Sequence, residues 1–177
     1  MDKKNILLKQ SRTLFHTNDL ALLWNISNKN TLYTTIKRYI KDGTLIPIHK
    51  GFYSTILLSQ QDPIPLGISY LHTFSYVSTE TILAREGIIN QSLSHISLVS
   101  SKSKTFTLNN QSYRARQMKD IFLLCDSGVI QNKKYKEASI ERAVSDMLYF
   151  NTRYHFDNQQ LIDWGTVHRI QKEVGFI

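Results

Sequence analysis

Residues 14–54 read LFHTNDLALLWNISNKNTLYTTIKRYIKDGTLIPIHKGFYS. The stretch parses as a helix, a tight turn, a second helix and a short β-hairpin. Thr17 fits an N-cap, because its hydroxyl can accept a free backbone N–H of the following turn. In the helix 18–24, Leu20, Leu23 and Trp24 share one side. Asn25-Ile26-Ser27-Asn28 breaks the pattern with turn-forming residues, and Ile26 plugs the gap between the two helices. From about residue 29 to 42, Leu32, Ile36, Tyr39 and Ile40 recur at helical spacing and predict one buried stripe. The opposite side carries Asn30, Thr34, Lys37 and Lys41, flanked by Thr31, Tyr33 and Arg38. An ordinary solvated helix face mixes both charge signs. This one has only cations, amides, hydroxyls and an aromatic ring, the groups that bond phosphates and base edges. Gly43 fits the residue that ends the helix at positive φ. Residues 45–49 then read as a strand, Lys50-Gly51 as the turn and 52–54 as the return strand, with Ile46, Ile48, Phe52 and Tyr53 alternating between core and surface. This order of elements predicts a winged helix-turn-helix. Its candidate DNA-binding residues are Asn30, Thr31, Tyr33, Thr34, Lys37, Arg38 and Lys41 on the helix and His49 and Lys50 on the wing.

Charge follows the same division. Residues 1–54 hold nine of the chain's 22 Lys and Arg but only three of its 14 acids, and so six of its eight net positive charges. Neutralisation of phosphates with counterion release is the main sequence-independent term in DNA binding, so a polyanion would meet this third first. The chain has 177 residues, 41% of them hydrophobic, with three Pro and seven Gly, which suits one ordinary or two small domains without a long linker. Cys125 is the single cysteine, which excludes an intrachain disulfide and a Cys-rich zinc site. The N-terminal MDKKNILLKQ lacks the apolar run of a secretory signal, and no stretch approaches the roughly 20 apolar residues needed to span a bilayer. The expected location is the cytoplasm, with no membrane partner.

The run NKNTLYTTIKRYIKDGTLIPIHKGFYS (28–54) resembles the N-terminal winged helix of AbiEi-type antitoxins of type IV toxin–antitoxin systems. There a Lys-rich helix end with a Gly step is followed by a hairpin bearing an aromatic Gly-Phe/Val-Tyr strand; the matching pieces are Lys41-Asp42-Gly43 and Gly51-Phe52-Tyr53. ISYLHTFSYVSTETILAREGII (68–89) is similar to the family's helix pair after the wing, and SIERAVSDMLYF (139–150) to its Glu-Arg-containing helix. The resemblance implies a transcriptional repressor that binds inverted repeats in its own operon, two copies per site as a homodimer or cooperatively on DNA. It also implies neutralisation of a cognate nucleotidyltransferase-like toxin from a neighbouring gene.

Outward from residue 54 the pattern is mixed. A first helix is expected over 3–13. Further helices are expected from Pro65 to about 72, from Ser78 or Thr79 to about 86, from Ser139 to Phe150 and over about 159–172. Strands are expected over 95–100 and 121–125, with a hairpin 104–117 about Asn109-Asn110. The reading is α+β: a winged helix-turn-helix over 1–60 and an α+β module with a small antiparallel sheet over 61–177, serving toxin neutralisation or oligomerisation. No chemistry is evident. The six histidines never fall at metal-ligand spacing, and there is no nucleophile elbow or Gly-rich phosphate loop. Asp120 or Asp126 ahead of Gln131-Asn132-Lys133 matches a metal-nuclease pattern only loosely and lacks the second carboxylate. No enzyme, cofactor or metal is expected. The alternative is a protein-interaction module that uses the winged helix only as a docking scaffold.

Overall fold

The computed structural model describes residues 2–177 and divides the chain into two units, one ending at Asp62 and one running Pro63–Ile177. In the first, the elements are α1 (Lys3–Leu8), β1 (Leu14–His16), α2 (Thr17–Leu23), α3 (Lys29–Lys41), β2 (Ile46–His49) and β3 (Phe52–Ser54). Helix α1 stops five residues short of the expected end because the chain must straighten into β1. That strand pairs antiparallel with β3, placing Phe15 opposite Tyr53. A pairing partner some forty residues away leaves no local signature. The sheet order β1-β3-β2 makes β3 central, so Phe52 and Tyr53 are both buried instead of alternating. Pro47 sits on β2, an edge strand, where its missing N–H interrupts no ladder.

The N-cap of α2 is His16, not Thr17: the Asp19 carboxylate accepts the His16 N–H at 2.7 Å. Thr17 instead opens the helix, and its backbone N–H donates to the Gly51 carbonyl at 2.9 Å. This ties the hairpin turn to the start of α2. Asn28 caps α3 by accepting the Thr31 N–H at 3.1 Å. The core gathers Leu7, Phe15, Leu20, Trp24, Leu32, Ile36, Tyr39, Leu45 and Tyr53, with Ile26 and Ile40 packed against it. The Trp24 indole stands 5.3 Å from the Tyr39 ring and donates to the Lys3 carbonyl, which holds α1 in place.

The second unit contains α4 (Pro63–Leu71), β4 (Ser75–Val77), α5 (Glu80–Arg85), β5 (His95–Ser100), β6 (Lys104–Leu108), β7 (Gln111–Gln117), α6 (Asp120–Leu123), β8 (Val129–Gln131), β9 (Lys136–Ala138), α7 (Ile140–Phe150) and α8 (Trp164–Val174). The class is α+β, as the sequence predicts. The sheet is larger than expected: six strands in the order β6-β7-β5-β4-β9-β8, with parallel pairings β5/β7 and β4/β9 joining antiparallel pairs. Tyr113 pairs with Ile96 and Tyr76 with Val99. Those partners are three positions apart on β5, so the two rings stand on opposite faces. The Tyr113 face takes α4, whose Gly67 lies so near that ring that a Cβ would fall 2.3 Å from it. The Tyr76 face takes α7, which in turn packs on α8.

Three more expectations change. Within 68–89 a strand, β4, stands between the two expected helices, α4 and α5. Residues 121–125 are not a buried strand: α6 covers 120–123, with Ile121 and Leu124 exposed. A five-residue apolar run cannot by periodicity distinguish strand from helix. Glu137 lies in β9 and accepts from Arg85 at 2.8 Å. The last helix begins later, at Trp164, capped by Asp163 accepting the Thr166 N–H.

Beneath the sheet, Arg142 and Asp146 of α7 are wholly buried. The Arg142 Nε donates to Asp146 at 2.8 Å, Nη1 to the carbonyls of Cys125 and Ser127, and Nη2 to the Tyr76 hydroxyl and the Phe122 carbonyl. These use the full donor set of a guanidinium. Asp146 also accepts from the hydroxyls of Ser78 at 2.7 Å and Tyr76 at 3.0 Å. Burial pushes the Tyr76 hydroxyl far up, so it keeps its proton and donates. No helix of the described residues is long and apolar enough to cross a membrane.

Candidate nucleic-acid interface

Helix α3 turns about 100° per residue. Its buried Thr35, Tyr39, Leu32 and Ile36 therefore fall on one side. Tyr33, Lys37, Asn30, Lys41, Thr34, Arg38 and Thr31 follow in that order around the remaining arc of about 160°. All seven are exposed, as are His49 and Lys50 on the hairpin. Thr35, which the sequence pattern left out of the buried stripe, turns inward because its hydroxyl donates back to the Thr31 carbonyl at 2.8 Å.

The nine candidates do not form one cluster. Tyr33, Lys37, His49 and Lys50 line a groove of about 390 Å³ between α3 and the hairpin, together with Ile36, Ile40, Pro47, Ile48 and Tyr53. Asn30, Thr34, Lys41, Arg38 and Thr31 lie on the helix face beyond its rim. Two of these are already engaged. The Thr31 hydroxyl donates to the Asn28 cap at 3.4 Å. The Arg38 guanidinium lies 5.0 Å from the Tyr39 ring centre, with Nη2 3.5 Å from its hydroxyl, which fixes the side chain but leaves other N–H groups outward. The groove's apolar lining was missed by sequence reading, since Tyr53 and Pro47 reach it only through the β1-β3-β2 pairing.

Electrostatically the face is one-sided. Among the described residues Lys37, Lys41 and Lys50 make no ion pair. The acids of the first 54 residues are all occupied elsewhere. Asp2 caps α1, Asp19 accepts the His16 N–H at the start of α2 and lies 3.5 Å from Arg12, and Asp42 pairs with Lys4 at 3.7 Å. The Thr44 hydroxyl and N–H, with Lys4 adding to them, hold the Asp42 carboxyl below the usual range. Negative charge is thus tied up at the helix ends, and the field over α3 and the hairpin is positive.

Elsewhere, among the described residues, no three His, Cys, Asp or Glu side chains converge as metal ligands would. The loosely nuclease-like Asp126 bonds Lys136 at 3.0 Å.

No protein-family model matches the chain, and no curated protein matches it. Three solved chains do. Among them is the crystal structure of the RV2827C protein from Mycobacterium tuberculosis, which is 11% identical, with a TM-score of 0.57 over 96% of this chain and 69% of that one. At that identity the likeness is one of fold.

Proposed function

We propose that the first unit is a winged helix-turn-helix that binds double-stranded DNA, and that the chain is an antitoxin-type transcriptional regulator. It would repress its own operon at inverted repeats and counteract a nucleotidyltransferase-like toxin, as its sequence resemblance to the AbiEi antitoxins implies, and it would work in the cytoplasm. The observation that carries the DNA reading is the acid-free exposed face of α3, continued by Lys50 on the hairpin, with each nearby carboxylate paired away from it. Asn30, Thr31 and Thr34 face base edges. Lys37, Arg38, Lys41 and Lys50 hold phosphates, and His49 stands beside them. Inverted repeats call for two copies of the domain per site.

Electrophoretic mobility shifts over a range of salt test the roles. Lys37→Ala weakens binding to every sequence and lowers the salt slope by about one unit, whereas Asn30→Ala relaxes preference at one base position by about 1–3 kcal/mol. Identical effects from the two changes would refute the assignment. In the scaffold-only alternative the cationic face has no role. Co-purification with the neighbouring gene product, without DNA retention, would favour it.

A further inference from the structure

Resting on the DNA-binding reading, we infer that α3 reads A·T base pairs, with thymine 5-methyl groups seated at the mouth of the groove beside Tyr33. In helix-turn-helix readers, the N-terminal part of the second helix meets the base edges. Beyond Lys29 at its first position, that part of α3 exposes Asn30, Thr31, Tyr33 and Thr34: an amide, two hydroxyls and a phenol. Guanine is read chiefly by Arg or Lys, adenine by Asn or Gln, and the thymine methyl by apolar contact. The cations of α3 are not placed to read guanine. Lys37 and Lys41 belong to its C-terminal half, and Lys50 to the hairpin. Arg38 is held against the Tyr39 ring. Lys29, the first residue of the helix, is exposed but does not line the groove. What remains toward the bases suits adenine and thymine.

The groove adds an independent observation. Its lining is largely apolar (Tyr33, Ile36, Ile40, Pro47 and Ile48), with Lys37 and Lys50 as its cations. The major-groove edge of DNA offers one apolar group, the thymine methyl. A duplex held by those two lysines through its phosphates presents that methyl to Tyr33, which is 49% exposed.

The test uses the full chain and a pool of random-sequence duplexes, from which bound sequences are selected. The best duplex is then titrated beside the same duplex carrying deoxyuridine for thymine. The expected outcome is A·T pairs at the recovered core and a loss of about fourfold per contacted methyl removed. Tyr33→Ala brings the thymine-to-deoxyuridine ratio close to one and leaves the salt slope unchanged, which also shows that the variant is folded. Recovery of G·C pairs at the core overturns the inference. So do equal affinities for the two duplexes, which would assign the groove to deoxyribose. In both cases the DNA-binding reading stands. If no duplex is retained even at low salt, both fall.

Discussion

On α7, Arg142 and Asp146 are wholly buried and each N–H of the guanidinium meets an acceptor. On α3, Lys37 and Lys41 stand in solvent with no ion pair among the described residues. Both helices are strongly amphipathic, so the difference lies in what each does with charge. Desolvating an ion pair costs several kcal/mol, and a buried one is tolerable only when every donor and acceptor is met. The α7 network meets that condition and has no capacity left for a ligand; it fastens the carbonyls of 122–127 to β4 and α7. Exposed, unmatched lysines add little to folding and project a field that a polyanion can use. Charge on α7 is therefore architecture, and charge on α3 is available for recognition.

The largest expected effect breaks the α7 side of this contrast. Arg142→Ala leaves Asp146 buried without its counterion and strands three carbonyls. It should lower stability by about 3–5 kcal/mol in urea unfolding of the full chain. The double change Arg142→Met with Asp146→Leu removes both charges and should recover much of that loss. A double variant no more stable than the single one would mean that the network acts through its hydrogen-bond geometry and not through charge balance.

An intermediate effect is expected at Gly43, where α3 ends. Its φ is +74°, and nothing lies within 4 Å of a Cβ built there. Gly43→Ala therefore introduces backbone strain without a clash, about 1–2 kcal/mol by thermal or urea unfolding. A smaller loss would show that the helix end can relax, and with it the angle between α3 and the hairpin.

On the α3 side, Lys37→Ala and Lys41→Ala should change stability by less than about 0.5 kcal/mol. Calorimetric unfolding of both variants checks this. A loss approaching that of Arg142→Ala would mean that these lysines hold the fold, and the contrast between the helices would vanish.

The same contrast explains what the sequence revealed. The α3 stripe was legible because Leu32, Ile36 and Tyr39 repeat within a single helix, and its polar face was the complement of that repeat. The hairpin 104–117 was legible from Asn109-Asn110, which adopt the positive φ values of 48° and 63° that such turns require. Arg142 was not legible. A charged residue on a helix reads as solvated, and its acceptors come from β4 and from 122–127, segments with no local mark of their role. Strand β1 was hidden for the same reason, since its existence depends on β3. The groove inherits that difficulty: Tyr33 and Lys37 were visible as exposed, but Tyr53 and Pro47 join them only after the sheet forms.

The smallest expected effect concerns the pairing that keeps negative charge off the α3 face. Asp42 accepts the Thr44 N–H at 2.9 Å and lies 3.7 Å from Lys4. Its carboxyl is held below the usual value, first by Thr44 and then by Lys4. A carboxyl whose folded pKa is depressed stabilises the fold above its unfolded value, near 3.9, and loses that contribution as pH falls through the lower folded value. Asp42→Asn should therefore lower stability slightly at neutral pH and flatten the acid limb of the stability curve below about pH 4. Urea unfolding at pH 7 and pH 3 reads both changes. If the variant and the parent chain lose stability in parallel across that interval, the carboxylate contributes nothing to the turn after α3, and its pairing with Lys4 serves only to remove an anion from the neighbourhood of Lys37 and Lys41.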